Sequence, residues 1–169
     1  MAETKLLLIE DKMYSFEVTC KSLEDTLILA EKIAPLLENG CFISLFGEIG
    51  AGKTAFVKLV AEKLGIEEHV TSPSFVILNE YHTGKIPVYH FDLYRLENVG
   101  VKTICDELRE YSEGKILTFV EWAEFSQEEI PFNRIEINVT YEEDDYRKYS
   151  FKSFGEKEDK ILEELEKCY

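Results

Sequence analysis

Cys41-Phe42-Ile43-Ser44-Leu45-Phe46 runs directly into Gly47-Glu48-Ile49-Gly50-Ala51-Gly52-Lys53-Thr54. The first six residues are nearly all apolar, the pattern of a short strand covered on both faces. The next eight match G-x-x-x-x-G-K-[ST] in full, and Phe56, Leu59, Val60 and Leu64 then mark one face of a helix that stops at Gly65. Strand, glycine loop and helix in this order form a cradle for phosphate. Glycines at 47, 50 and 52 permit positive φ, so successive N–H groups can turn toward one anion, and the helix dipole adds to their pull. Lys53 supplies a cation for β- and γ-oxygens, and the Thr54 hydroxyl suits Mg²⁺. Gly47 through Ala55 are therefore the expected nucleotide contacts. A chance match to the pattern in a chain this long is on the order of one in a hundred, before strand and helix are required.

Upstream, Ser22 with Asp25 looks like a capping box, and Leu23, Leu27, Ala30, Ala34 and Leu37 recur at helical spacing until Asn39-Gly40. Pro35 is expected to kink that helix near its end. Downstream, Phe75–Tyr81 and Val88–Tyr94 read as an antiparallel hairpin, 97–113 as loop with one short helix, and Ile116–Val120 as another buried strand. Ile135, Ile137, Val139 and Tyr141 alternate with polar residues. After an acidic turn at Glu142–Asp145 a second alternating strand runs from Tyr146 to Phe154, and a helix with Ile161, Leu162 and Leu165 inward closes the chain. The expected fold is α/β: a mixed β-sheet of P-loop NTPase type flanked by helices, with antiparallel hairpins, in a single domain over 1–169.

Composition narrows the function. The 169 residues carry 34 acids against 19 bases, a formal charge of -15, which disfavours direct, strong nucleic-acid binding. Residues 41–96 are nearly neutral, with five Lys or Arg against six Asp or Glu, so the acidity lies in the flanks, the expected docking surface for basic partners. The apolar run Leu6–Ile9 is too short to span a membrane, and Glu3, Glu10 and Asp11 around it do not suit a signal peptide, which points to a cytoplasmic protein. Cys20, Cys41, Cys105 and Cys168 are widely spaced and read as reduced structural thiols.

Three further stretches could complete a site. Glu121, directly after Ile116–Val120, is the candidate second Mg²⁺ ligand opposite Thr54, the alternative being a solvated acid at a strand end. Its neighbour Trp122, the only tryptophan, is either a core anchor or a cover for the nucleotide. In an extended strand His90, Asp92 and Tyr94 share one face, where Asp92 could orient or deprotonate water or hold a metal-bound water; a plain cross-strand pair is the competing reading. Thr71-Ser72-Pro73-Ser74 is either a γ-phosphate-sensing switch loop or an ordinary turn.

The order of phosphate loop, Thr71-Ser72-Pro73-Ser74-Phe75, His90-Phe91-Asp92-Leu93-Tyr94-Arg95-Leu96 and Glu121-Trp122-Ala123-Glu124 resembles the TsaE (YjeE) family of small bacterial P-loop ATPases, over about residues 22 to 125. Ser74 stands where that family usually has Thr, and Ala123 where Pro is common. The resemblance implies a role in threonylcarbamoyl modification of adenosine in tRNA. It implies ATP hydrolysis that resets a complex with TsaB and the transferase TsaD, while TsaC makes the threonylcarbamoyl-adenylate. It further implies Lys53 and Thr54 on phosphate and Mg²⁺, Glu121 as metal ligand, Asp92 as the essential acid, and Trp122 near the ATP or ADP. The N-terminal strand region and residues 126–169 carry no motif of the family. The rival readings are a small-molecule kinase, which needs an arginine-rich lid where this chain has only Arg95, Arg109, Arg134 and Arg147, and a nucleotide-dependent scaffold without useful turnover. A GTPase reading is weaker still, since the chain holds no guanine-reading N-K-x-D.

Overall fold

The structure is a computed structural model and describes residues 13–126 and 128–169. Leu6–Ile9 lies outside the described residues. Among the described residues seven strands form one sheet: β1 (Ser15–Cys20), β2 (Cys41–Phe46), β3 (Leu78–Tyr81), β4 (Val88–Asp92), β5 (Leu117–Glu121), β6 (Arg134–Tyr141) and β7 (Arg147–Phe154), in the order β1-β7-β6-β2-β5-β4-β3. The central four, β6-β2-β5-β4, are parallel; β3 pairs antiparallel with β4 at one edge, and on the other side β7 pairs antiparallel with β6 and β1 antiparallel with β7. This is the mixed α/β sheet with antiparallel hairpins that the sequence pattern implies. In such sheets ligands sit beyond the carboxyl ends of the parallel strands, where the glycine loop, Asp92 and Glu121 all fall.

The helices are α1 (Leu23–Ile33), α2 (Lys53–Lys63), α3 (Cys105–Glu110) and α4 (Glu156–Glu166). All of β2 except its last residue is fully buried, because both faces are covered. Ile43 and Leu45 join a core with Leu29, Phe56, Val60 and Leu162, while Phe42 faces a second cluster with Phe91, Leu93, Leu108 and Val120. Among the described residues no helix is long and apolar enough to cross a membrane. All four cysteines are free, with Cys20 and Cys41 buried, and burial pushes the Cys41 thiol up to about 12.

Four local expectations are corrected. The helix at Ser22 is capped as expected, the Asp25 amide donating to Ser22 Oγ at 3.1 Å, but its buried stripe is Thr26, Leu29, Ala30 and Ile33. Leu23 is exposed and Leu27 only half-buried. The run Leu27-Ile28-Leu29-Ala30 offers two overlapping helical stripes, and packing against α2 and the sheet selects the other one. At Pro35 the chain tightens into a 3₁₀ turn over Ala34–Leu37 rather than kinking a continuous helix. Phe75–Ile77 are not strand. Val76 and Ile77 donate to the Pro73 carbonyl, Ile77 takes φ 72, and Phe75 and Val76 are exposed. Finally, β4 ends at Asp92, so Tyr94 lies in a 3₁₀ turn and not on the strand face with His90 and Asp92.

Candidate functional site

The loop from β2 to α2 takes the left-handed conformations that its glycines allow. Gly47 has φ 143, and a Cβ there would stand 2.5 Å from the Val139 carbonyl on β6. Gly52, at φ 108, caps α2 and leaves the unpaired N–H groups of the first helical turn facing the loop. Lys53, only 6% exposed, donates from Nζ to the carbonyls of Gly47 at 2.5 Å and Glu48 at 3.0 Å. Its ammonium also sits 4.4 Å from the Trp122 ring centroid. Burial lowers the Lys53 pKa, and the charges of Glu121, Glu124 and Asp92 oppose that shift.

Two buried acids face this cation. Glu121, ending β5, accepts a 2.7 Å hydrogen bond on Oε1 from Thr54 Oγ1, while His90 Nε2 lies 3.4 Å from its Oε2. The strand-end acid is 2% exposed, so it is not a solvated one. Asp92, ending β4, accepts from Ser72 Oγ at 2.9 Å and Ser74 Oγ at 2.8 Å on Oδ2, and from the Tyr94 amide at 3.0 Å on Oδ1. The Asp92 carboxylate therefore takes no partner from the facing hairpin strand β3. The 71–74 loop is tied to Asp92 by two hydroxyls rather than forming an isolated turn.

These groups line a cleft of about 350 Å³ bounded by Ile49–Ala55, Ser72, Ser74, Asp92, Tyr94, Glu121 and Trp122. Gly47 and Glu48 line an adjoining depression with Trp122 and Glu124. Thr71 stays off the cleft wall; its amide and carbonyl are held by Tyr81 Oη and Asn79 Nδ2. Trp122 combines its two readings: at φ 58 it turns one face toward Lys53 while its ring stacks on Phe125 and leans on Tyr94.

Arg147 is the residue that sequence reasoning missed. From the start of β7 its Nε donates to the Ala51 carbonyl at 3.1 Å and an η nitrogen to Tyr141 Oη at 2.9 Å. It fills the space that a side chain at Gly52 would need. An anchor 96 residues from the loop leaves no spacing signal. Arg147→Ala is expected to weaken Mg·ADP binding about tenfold, roughly the 1.4 kcal/mol of one charge-assisted hydrogen bond, by letting the loop sample other conformations. Arg147→Lys should not restore it, since one ammonium cannot reproduce the planar fork. Titration calorimetry on both variants checks this, and unchanged affinity in Arg147→Ala would remove the anchor role.

A parallel-strand core, a glycine loop between its central strand and the following helix, and acids at the ends of the next two strands along the sheet, β5 and β4, define a P-loop NTPase-type α/β protein. The sequence comparisons go one step further. The family model described as "Threonylcarbamoyl adenosine biosynthesis protein TsaE" matches residues 20–149, extending beyond the Glu121-Trp122 motif through β6 and into β7. The chain belongs to the TsaE family. It is 38% identical over 142 residues to the tRNA threonylcarbamoyladenosine biosynthesis protein TsaE of Bacillus subtilis, covering 84% of this chain and 88% of that one. It is 43% identical over 112 residues to the Aquifex aeolicus protein of the same name, covering 64% and 77%. The crystal structure of Bacillus subtilis YdiB superposes with a TM-score of 0.79 at 33% identity, covering 92% of this chain and 97% of that chain.

Proposed function

We propose that the chain binds ATP and ADP with Mg²⁺ in this cleft and hydrolyses ATP slowly, as a cytoplasmic subunit required, with TsaB and TsaD, for threonylcarbamoyl modification of adenosine in tRNA. The observation that carries the nucleotide reading is the 2.7 Å contact between Thr54 and Glu121 beside Lys53. Two hard oxygens from a helix start and a strand end suit an ion that keeps phosphate and water as its other ligands. Among the described residues no three acidic, His or Cys side chains gather into a protein-only metal cage, which fits that division of ligands. Thr54 and Glu121 would hold Mg²⁺, which when bound neutralises charge building on the β- and γ-oxygens. Lys53 would meet the same oxygens, leaving its present bonds to two loop carbonyls. Asp92, across the cleft, would orient the attacking water and accept its proton, with Ser72 and Ser74 fixing its carboxylate.

The arginines argue against a kinase. Arg95 lies over the Phe75 ring, Arg109 near Asp106, Arg134 on Glu136, and Arg147 on the loop's own carbonyl. None lines the cleft where a transferred phosphoryl group would need clamping. The family's shared role in tRNA threonylcarbamoyladenosine biosynthesis, taken with the acidic flanks, supports basic protein partners that meet tRNA in its place. Calorimetry should detect ATP binding in Mg²⁺, and ATPase assays should show slow turnover that rises when a cognate TsaB–TsaD pair is added. Absence of binding at millimolar ATP would overturn the nucleotide reading, and binding without stimulated turnover would leave a scaffold.

A further inference from the structure

His90 is wholly buried on β4, and neither ring nitrogen has a hydrogen-bond partner. An imidazole carries at least one N–H at any pH, so a core position needing only volume would be filled at lower cost by an aliphatic residue. The acceptor that stands near is specific. Asp92 pairs in register with Glu121 across the parallel β4–β5 ladder, and His90, two residues earlier on the same strand, projects from the same face. Its Nε2 reaches to 3.4 Å from Glu121 Oε2, slightly long for a hydrogen bond, while Thr54 holds the other oxygen, Oε1, at 2.7 Å. His90 does not line the cleft. It can act on a bound nucleotide only through Glu121.

We propose that His90 is a positioning residue: its Nε2–H holds Glu121 Oε2 and so keeps Oε1 directed at Thr54 and at the Mg²⁺ of a bound nucleotide. The inference rests on the Mg·nucleotide reading above. Donors one step removed from a metal commonly govern affinity by orienting the ligand, and such bonds tighten once the site is loaded. A 3.4 Å gap closes with a small rotation of either side chain.

The test compares ADP affinity by calorimetry in Mg²⁺ and in EDTA for the wild type, His90→Leu and His90→Gln. Glutamine can place an amide N–H near the position of Nε2, whereas leucine offers volume alone. In the wild type Mg²⁺ should tighten ADP binding. His90→Leu should lose about tenfold of that enhancement while its affinity in EDTA stays within about twofold of wild type, and His90→Gln should recover most of it. A purely structural histidine would shift both affinities together, or neither, and glutamine would rescue no better than leucine; either result overturns the proposal. If His90→Leu does not fold, as judged by its thermal melt, His90→Asn takes its place, because its amide is too short to reach Glu121 and the same loss is expected. A wild type whose ADP affinity is unaffected by Mg²⁺ overturns the underlying reading as well, and is distinguished by failing before any variant is compared.

Discussion

Asp92→Asn is expected to lower the ATPase kcat by about two to four orders of magnitude, the usual worth of a positioned general base, and to leave the Kd for Mg·ADP within about threefold. The asparagine is nearly isosteric, and the surroundings can accept it. Its carbonyl oxygen can still take the Tyr94 amide that now donates to Oδ1. Its NH₂ would face Ser72 and Ser74, whose hydroxyls now donate to Oδ2 but can rotate and accept instead. What is lost is the charge and the basic lone pair, so a fall confined to turnover assigns those to catalysis. Asp92→Ala is a coarser probe: it strips the partner from a part-buried amide and frees the 71–74 loop, so some affinity should go with it. Steady-state kinetics beside calorimetry separates the outcomes. Equal loss of kcat and ADP affinity in Asp92→Asn would move Asp92 to binding, and full retention of kcat would reduce it to a clasp for the serine loop.

That division between chemistry and support also marks what could be read from the chain before its structure. The loop was legible because every constraint on it is local: the apolar strand, the glycines and the helix stripe lie within residues 41–65. Glu121 was legible because a carboxylate ending a buried apolar run has few reasons to be there. Trouble began where tertiary contacts choose between locally equal options. Phe75, Val76 and Ile77 have high β propensity, yet they turn outward, because the chain must bring Ser72 and Ser74 back to Asp92 before β3 can start. Tyr94 continues an alternating pattern, yet its amide is diverted to Asp92. Arg147 reaches a carbonyl of the loop from the far side of the sheet, and the acid that His90 faces lies on the next strand, so sequence distance hides both contacts.

Lys53→Met should show the other large effect, a loss of ATP affinity of at least about 100-fold, or roughly 2.7 kcal/mol. Among the described residues Lys53 is the only cation lining the cleft, which also presents the carboxylates of Asp92 and Glu121. Without the ammonium, a polyphosphate would meet two buried negative charges with only backbone dipoles and a metal ion to offset them. Methionine keeps the unbranched stem against Trp122 while removing the charge, so packing is preserved better than by alanine. Stability should move the other way. Burial depresses the Lys53 pKa, a sign that the protein holds this ammonium against a desolvation cost that the charges of Glu121, Glu124 and Asp92 offset only in part. The melting temperature of Lys53→Met without nucleotide is therefore expected to equal or exceed that of the wild type, as when a residue kept for function is strained in the resting protein. The lone indole supplies the affinity readout: Trp122, 4.4 Å beneath the ammonium, should change its fluorescence as ATP draws Lys53 away, and in the variant any residual change should come only at far higher ATP. A variant that melts well below wild type would make Lys53 a structural brace, and one that binds ATP as tightly as wild type would place the phosphates somewhere other than this loop.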